Sequence, residues 1–184
     1  MMDGRQGGGG SGGRAHAFEA GASLGWTRPR WLAPRWELAD ARGTIASFER
    51  LSLLGRRWSL VAGDRRLVVE AGWFGGAELR EAGDSTLVAN FKPGWLGRGR
   101  IVLAGGGTLR WRHHWLSIWQ PGLEIADEGG SPLVRYEWRP TQGRFRGTIS
   151  IESPALRRDD LEALVLLGWA LTLLSFRQSN SGGA

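Results

Sequence analysis

Gly21-Ala22-Ser23-Leu24-Gly25 matches the G-x-S-x-G spacing of a serine nucleophile. That chemistry needs a strand before the serine, a helix after it and an α/β sheet around it. Here a glycine-rich stretch precedes the motif and strand-type patterning follows, so Ser23 reads as an ordinary loop residue. His113-His114 is the one histidine pair. Neighbouring strand residues point to opposite faces, which makes them poor co-ligands for a single metal ion. Gly97-Arg98-Gly99-Arg100 and Gly105–Gly107 lack the Gly-Lys-Ser/Thr ending and the following helix of a phosphate-binding loop. They serve better as hairpin turns. The carboxylates are dispersed, and many sit in turns or at a helix start. No catalytic residue, metal ligand or cofactor is predicted, and the chain reads as a non-enzymatic protein.

The remaining chemistry is electrostatic. The formal net charge is +6, and Lys92 is the single lysine among 24 basic residues. Arg56, Arg57, Arg65 and Arg66 flank one hairpin, and Lys92, Arg98 and Arg100 flank another. Arg110, Arg112, Arg144 and Arg146 alternate with apolar residues and are expected to face outward. Trp73-Phe74, Trp95 and Trp115 fall in or near turns. Arginine beside exposed aromatic residues suits a membrane interface or single-stranded nucleic acid. The competing reading is a solvated strand face in a chain whose Arg, Gly, Ala and Trp usage reflects a GC-rich genome. The predicted site is therefore an anionic-surface site of Arg56, Arg57, Arg65, Arg66, Lys92, Arg98 and Arg100. Its expected partner is an anionic phospholipid or membrane surface. A single-stranded nucleic acid, or a structural or protein-interaction role, is the alternative.

These side chains must be positioned by strands. From Trp36 onward apolar residues recur at every second position, as in sheets with one face buried and one wet. Turn signals such as Asp40-Ala41-Arg42-Gly43, Gly63-Asp64 and Ala82-Gly83-Asp84 separate the runs. The pattern predicts twelve strands, at 35–39, 44–49, 57–62, 65–72, 77–81, 85–91, 99–104, 108–113, 115–119, 123–126, 132–138 and 144–151. Close spacing and tight turns imply an antiparallel meander, closed as a barrel. Trp36–Thr44 aligns with Leu123–Ser131, sharing Glu37/Glu124, Ala39/Ala126, Asp40/Asp127 and Gly43/Gly130. The common content is a hairpin in which Asp opens the turn and Gly takes the positive-φ position.

Leu161–Phe176 breaks the period. It is apolar on every side, so it must be enclosed. It is shorter than the roughly 18–20 residues a bilayer span needs. The preceding barrel is the natural enclosure, which gives a mainly β fold of about twelve strands around one helix at 159–176. Asp159, Asp160 and Glu162 favour the helix start and Arg177 its end. Residues 1–24 read as a disordered Gly-rich tail, 25–177 as the barrel domain and 178–184 as a second tail. The chain has no cysteine, which fits a reducing compartment. With no signal-peptide pattern, the expectation is a cytoplasmic protein at the membrane periphery, without a transmembrane span.

In layout the chain resembles the tubby C-terminal-like superfamily, which includes the LURP-one-related proteins and the phospholipid scramblases. The resemblance covers residues 35–177. It rests on the repeated hairpins at Trp36–Phe48 and Leu123–Tyr136, the Lys92–Arg98 connection and the Leu161–Phe176 helix. It looks closest to bacterial members and implies a twelve-stranded barrel enclosing its C-terminal helix, with lipid binding suggested by fold. The phosphoinositide-binding basic motif of the tubby proteins is not matched. The acidic calcium segment and the cysteine-rich palmitoylation region of the scramblases are also missing.

Overall fold

A computed structural model describes residues 18, 24–28, 35–51, 56–73, 75–95, 98–117, 120–141 and 144–181, the side chains of 114–121, 139–145 and 176–181 excepted. Twelve antiparallel strands run β1 Leu24–Thr27, β2 Arg35–Asp40, β3 Gly43–Arg50, β4 Arg57–Ala62, β5 Arg65–Ala71, β6 Ala77–Glu81, β7 Leu87–Pro93, β8 Gly99–Leu103, β9 Thr108–Ser117, β10 Gln120–Ala126, β11 Pro132–Thr141 and β12 Arg144–Ile151. Each pairs with its neighbours in sequence, and β1 pairs with β12 to close the barrel. Closure leaves no row of unpaired backbone groups at an edge.

The strand count agrees with the sequence pattern, but its composition differs at two places. β1 was not among the predicted strands. Leu24 and Trp26 are fully buried, so the core begins at Leu24, where the expected tail ends, and the half-buried Phe18 packs against it. A strand of four residues beside glycines carries too few alternations to stand out. The two segments predicted at 108–113 and 115–119 are one strand, β9, paired with β10 past His113 and His114. The predicted break falls at His114 because polar residues interrupt the alternation there.

The repeat has a geometric counterpart. Asp40 Oδ1 accepts from the Arg42 and Gly43 N–H groups at 2.7 and 3.0 Å, and Asp127 Oδ1 accepts from the Ser131 N–H at 2.7 Å. Gly43 and Gly130 hold φ of 141° and 91°. The strand register shifts between Leu38 and Ala39 and, at the aligned position, between Ile125 and Ala126.

After β12 a 3-10 turn, Ser153–Arg157, leads to helix α1, Leu161–Ser181. The helix therefore starts two residues later and runs five residues further than 159–176. Asp160 supplies the first acceptor, to the Leu164 N–H, and its carboxylate binds Arg158 at 2.7 Å. Arg177 lies inside the helix rather than past it.

Leu164 through Leu167, Trp169 and Ala170 are fully buried. The lumen is filled by the chain itself. Phe48 stacks on Trp58 at 4.8 Å and meets Trp169 at 6.0 Å between centroids. The Tyr136 hydroxyl reaches the Leu164 and Val165 carbonyls at 3.1 and 3.2 Å. Gly168 makes this possible, because a Cβ there would overlap the phenol ring. Burial pushes the Tyr136 phenol well above its ordinary value. No helix among the described residues is long and apolar enough to cross a membrane.

Candidate functional site

Because every connection reverses direction, the barrel has two rims of different descent. Turns 41–42, 63–64, 82–86, 104–107 and 127–131 share one rim with the helix start. Strand ends at the other rim are joined through 28–34, 51–56, 72–76, 94–98, 118–119 and 142–143, on the side where α1 leaves the core at the exposed Ser175.

The helix-entry rim is acidic and polar. Asp40, Asp64, Asp84 and Asp127 end or open its turns, and Asp159 and Asp160 lead into the helix. The Thr86 N–H donates to Asp84 at 2.9 Å and holds that carboxyl below its ordinary value. Arg65 is neutralised here, 2.6 Å from Glu81 and 3.7 Å from Glu162. A cleft of about 680 Å³ opens between Arg65, Val88, Leu103 and the helix approach.

The helix-exit rim is basic and aromatic. None of the six stretches joining its strands contains an acidic residue. Trp73 and Trp95 are 83% and 89% exposed, and the Arg56 guanidinium lies 3.5 Å over the Trp73 ring. The 72–76 connection is closed by the Gly72 N–H to Gly76 carbonyl bond at 2.7 Å. The 94–98 connection is closed by the Gly94 N–H to Arg98 carbonyl bond, also 2.7 Å. Gly75 and Gly76 lie against Pro93, which places the two connections side by side. In sequence the same joins carry Trp31, Phe74, Leu96 and Trp119, which lie outside the described residues.

Lys92, Arg100 and Arg110 stand directly opposite one another on β7, β8 and β9. All three are exposed, and no carboxylate among the described residues pairs with them. Like charges facing across strands are destabilising. The row on β9, β10 and β11 behaves differently. There Glu124, 3% exposed, is bound by Arg112 and lies 3.5 Å from Arg135, which reaches Glu152 at 3.0 Å.

The seven predicted site residues do not form one patch. Arg56 and Arg57 lie at the helix-exit end of the β4–β5 hairpin, and Arg65 and Arg66 at the helix-entry end. Five strand residues, 58–62, separate the pairs, since a tight turn puts the two ends of a hairpin on opposite rims. Arg57 is also tied to Glu70 at 2.8 Å. Arg56, Lys92, Arg98 and Arg100 remain together at the helix-exit side. Sequence reasoning gave Arg110 no place in the site, because its partners in the row are 10 and 18 positions away and only register reveals them.

The other candidates resolve simply. Ser23 and the side chains of His114, Trp115 and Arg144 lie outside the described residues, while Gly25 is a strand residue between Ala39 and Thr148. Gly106 and Gly107 form the β8–β9 turn with φ of 91° each. No cluster of three or more metal-ligating side chains occurs among the described residues. No family model, curated protein or solved structure matches this chain.

Proposed function

We propose that this barrel binds an anionic surface, a phospholipid membrane before any other, through the cations on the outer face of β7, β8 and β9 and at the adjoining helix-exit rim. The observation that carries the reading is the row Lys92–Arg100–Arg110, three exposed cations in register without a carboxylate. Mutual repulsion makes the row a cost to the isolated fold, and a polyanion laid across it relieves that cost. Strand spacing puts adjacent cations about 5 Å apart at the backbone, close enough for neighbouring charges to act on one anionic face. Arg98 and Arg56 extend the positive surface to the rim.

In this reading the protein is non-enzymatic, cytoplasmic and attached to a membrane at its periphery. Kinship with the tubby C-terminal-like proteins is part of the proposal. Its support is the layout of twelve antiparallel strands around a C-terminal helix, and fold alone does not assign function. The test is co-sedimentation with phosphatidylcholine vesicles, with and without phosphatidylserine, across a salt series. Binding that needs phosphatidylserine and weakens with salt is expected. Replacing Lys92, Arg100 and Arg110 by Ala is expected to remove about 1 kcal/mol per charge. The Arg56–Trp73 stack favours single-stranded nucleic acid as a second reading, since bases stack on such surfaces. Oligonucleotide binding with no vesicle binding would replace the membrane by that partner.

A further inference from the structure

The helix-exit rim has a second property that charge does not explain. Two tryptophans point into solvent from adjoining connections, 83% and 89% exposed. Large apolar side chains left this open mark interaction surfaces when they cluster. Their exposure is built by the backbone. The 2.7 Å bonds that close 72–76 and 94–98 fix both connections, and Pro93 wedges them together. The remaining aromatic residues with described side chains are mostly core.

We infer that Trp73 and Trp95 are membrane anchors, inserted into the interfacial layer of an anionic bilayer while Lys92, Arg98 and Arg100 beside them meet the headgroups. The inference rests on the anionic-surface reading above. It adds the orientation of the barrel and a binding component independent of charge. Tryptophan suits this depth because its ring is apolar and its N–H is polar. The Arg56 guanidinium over Trp73 keeps a cation at headgroup level beside the inserted ring. The aspartates at the opposite rim disfavour the reverse orientation by repulsion from the same surface. The barrel therefore stands end-on, helix-exit rim down.

The test uses the full chain and its Trp73→Ser/Trp95→Ser variant, which removes only exposed side chains. Vesicles of phosphatidylcholine and phosphatidylserine, with or without brominated acyl chains, serve as the probe. Brominated chains are expected to quench wild-type emission, and the quenching is expected to fall sharply in the variant. At low salt the variant still binds through its cations. At physiological salt, where the cations are screened, it is expected to bind at least about tenfold more weakly than wild type. Equal binding of the two proteins at all salts, or unquenched wild-type emission on vesicles it does bind, overturns the anchors and leaves the cationic row standing. Failure of wild type to bind any vesicle at low salt overturns both.

Discussion

The two rims of this barrel are made from the same strands and differ in almost everything else. At the helix-entry rim, short turns are closed by aspartate oxygens bonded to backbone N–H groups, as at Asp40 and Asp127. Asp40, Asp84 and Asp127 bond backbone N–H groups within four residues, and Arg65 is matched to Glu81 and Glu162. At the helix-exit rim the 72–76 and 94–98 turns close through backbone hydrogen bonds, and Trp73 and Trp95 face solvent. Arg35 and Arg57 are paired with Glu37 and Glu70, while no carboxylate among the described residues pairs with Arg56 or Arg98. The first rim is arranged to satisfy itself, and the second leaves its charge and apolar area to be satisfied by something else. Under the proposed function, that asymmetry separates surface that stabilises from surface that binds.

The contrast depends on the helix that spans both rims, so the largest expected effect is Leu167→Asp. An unpaired charge in the lumen costs several kcal/mol, comparable to total stability. Circular dichroism should show loss of the whole fold, because Leu167 is fully buried. A soluble β-rich protein surviving deletion of 159–184 would mean that the two rims do not need the helix.

Next comes Glu124→Ala, which leaves Arg112 and Arg135 without their shared partner. Removing one member of a buried ionic group costs about 3–5 kcal/mol. Both arginines here are about one-third exposed, so the lower end is expected in urea unfolding. A change under about 0.5 kcal/mol would erase the distinction between the compensated and uncompensated rows.

Charge removal at the rims sharpens the comparison directly. Arg56→Ala with Arg98→Ala should weaken binding to phosphatidylserine-containing vesicles by about 2 kcal/mol, roughly thirtyfold. Arg42→Ala with Arg66→Ala removes the same charge at the opposite rim and should change binding little. Equal losses would show that net charge matters and location does not.

Tyr136 ties the helix to the wall halfway between the rims. Tyr136→Phe removes its hydrogen bond to the helix carbonyls and should cost about 1 kcal/mol. Its pKa is raised in the folded state, so the stabilisation is complete below the unfolded value of about 10 and is lost as pH rises from there through the folded value. Wild type should lose stability in that alkaline range, and Tyr136→Phe should lose less. The smallest effect is Arg100→Glu. It converts the repelling row to an alternating one and should stabilise by about 0.2–1 kcal/mol while weakening vesicle binding. Greater stability with weaker binding is the signature of a charge kept for a partner.

The sequence by itself determined the period-two strands, the Asp-to-Gly turns and the enclosed helix. All three depend on near neighbours along the chain. Leu109 and Trp111 alternate with Arg110 and Arg112, Asp40 bonds backbone two and three residues on, and Leu161–Phe176 has no polar face to offer water. β1 was hidden because Leu24–Thr27 is too short to carry a period, and only pairing with β2 and β12 makes it a strand. Tertiary structure alone decided which charges meet. Arg56 and Arg65 look like one cluster in sequence, yet a hairpin sends them to opposite rims. Lys92 and Arg110 look unrelated, yet register sets them in one row. Local patterning fixes the side of the wall a residue faces, because that is a two-residue property. Its position along and around the barrel is set by strand pairing, and a site on the outside of a barrel is built from those positions.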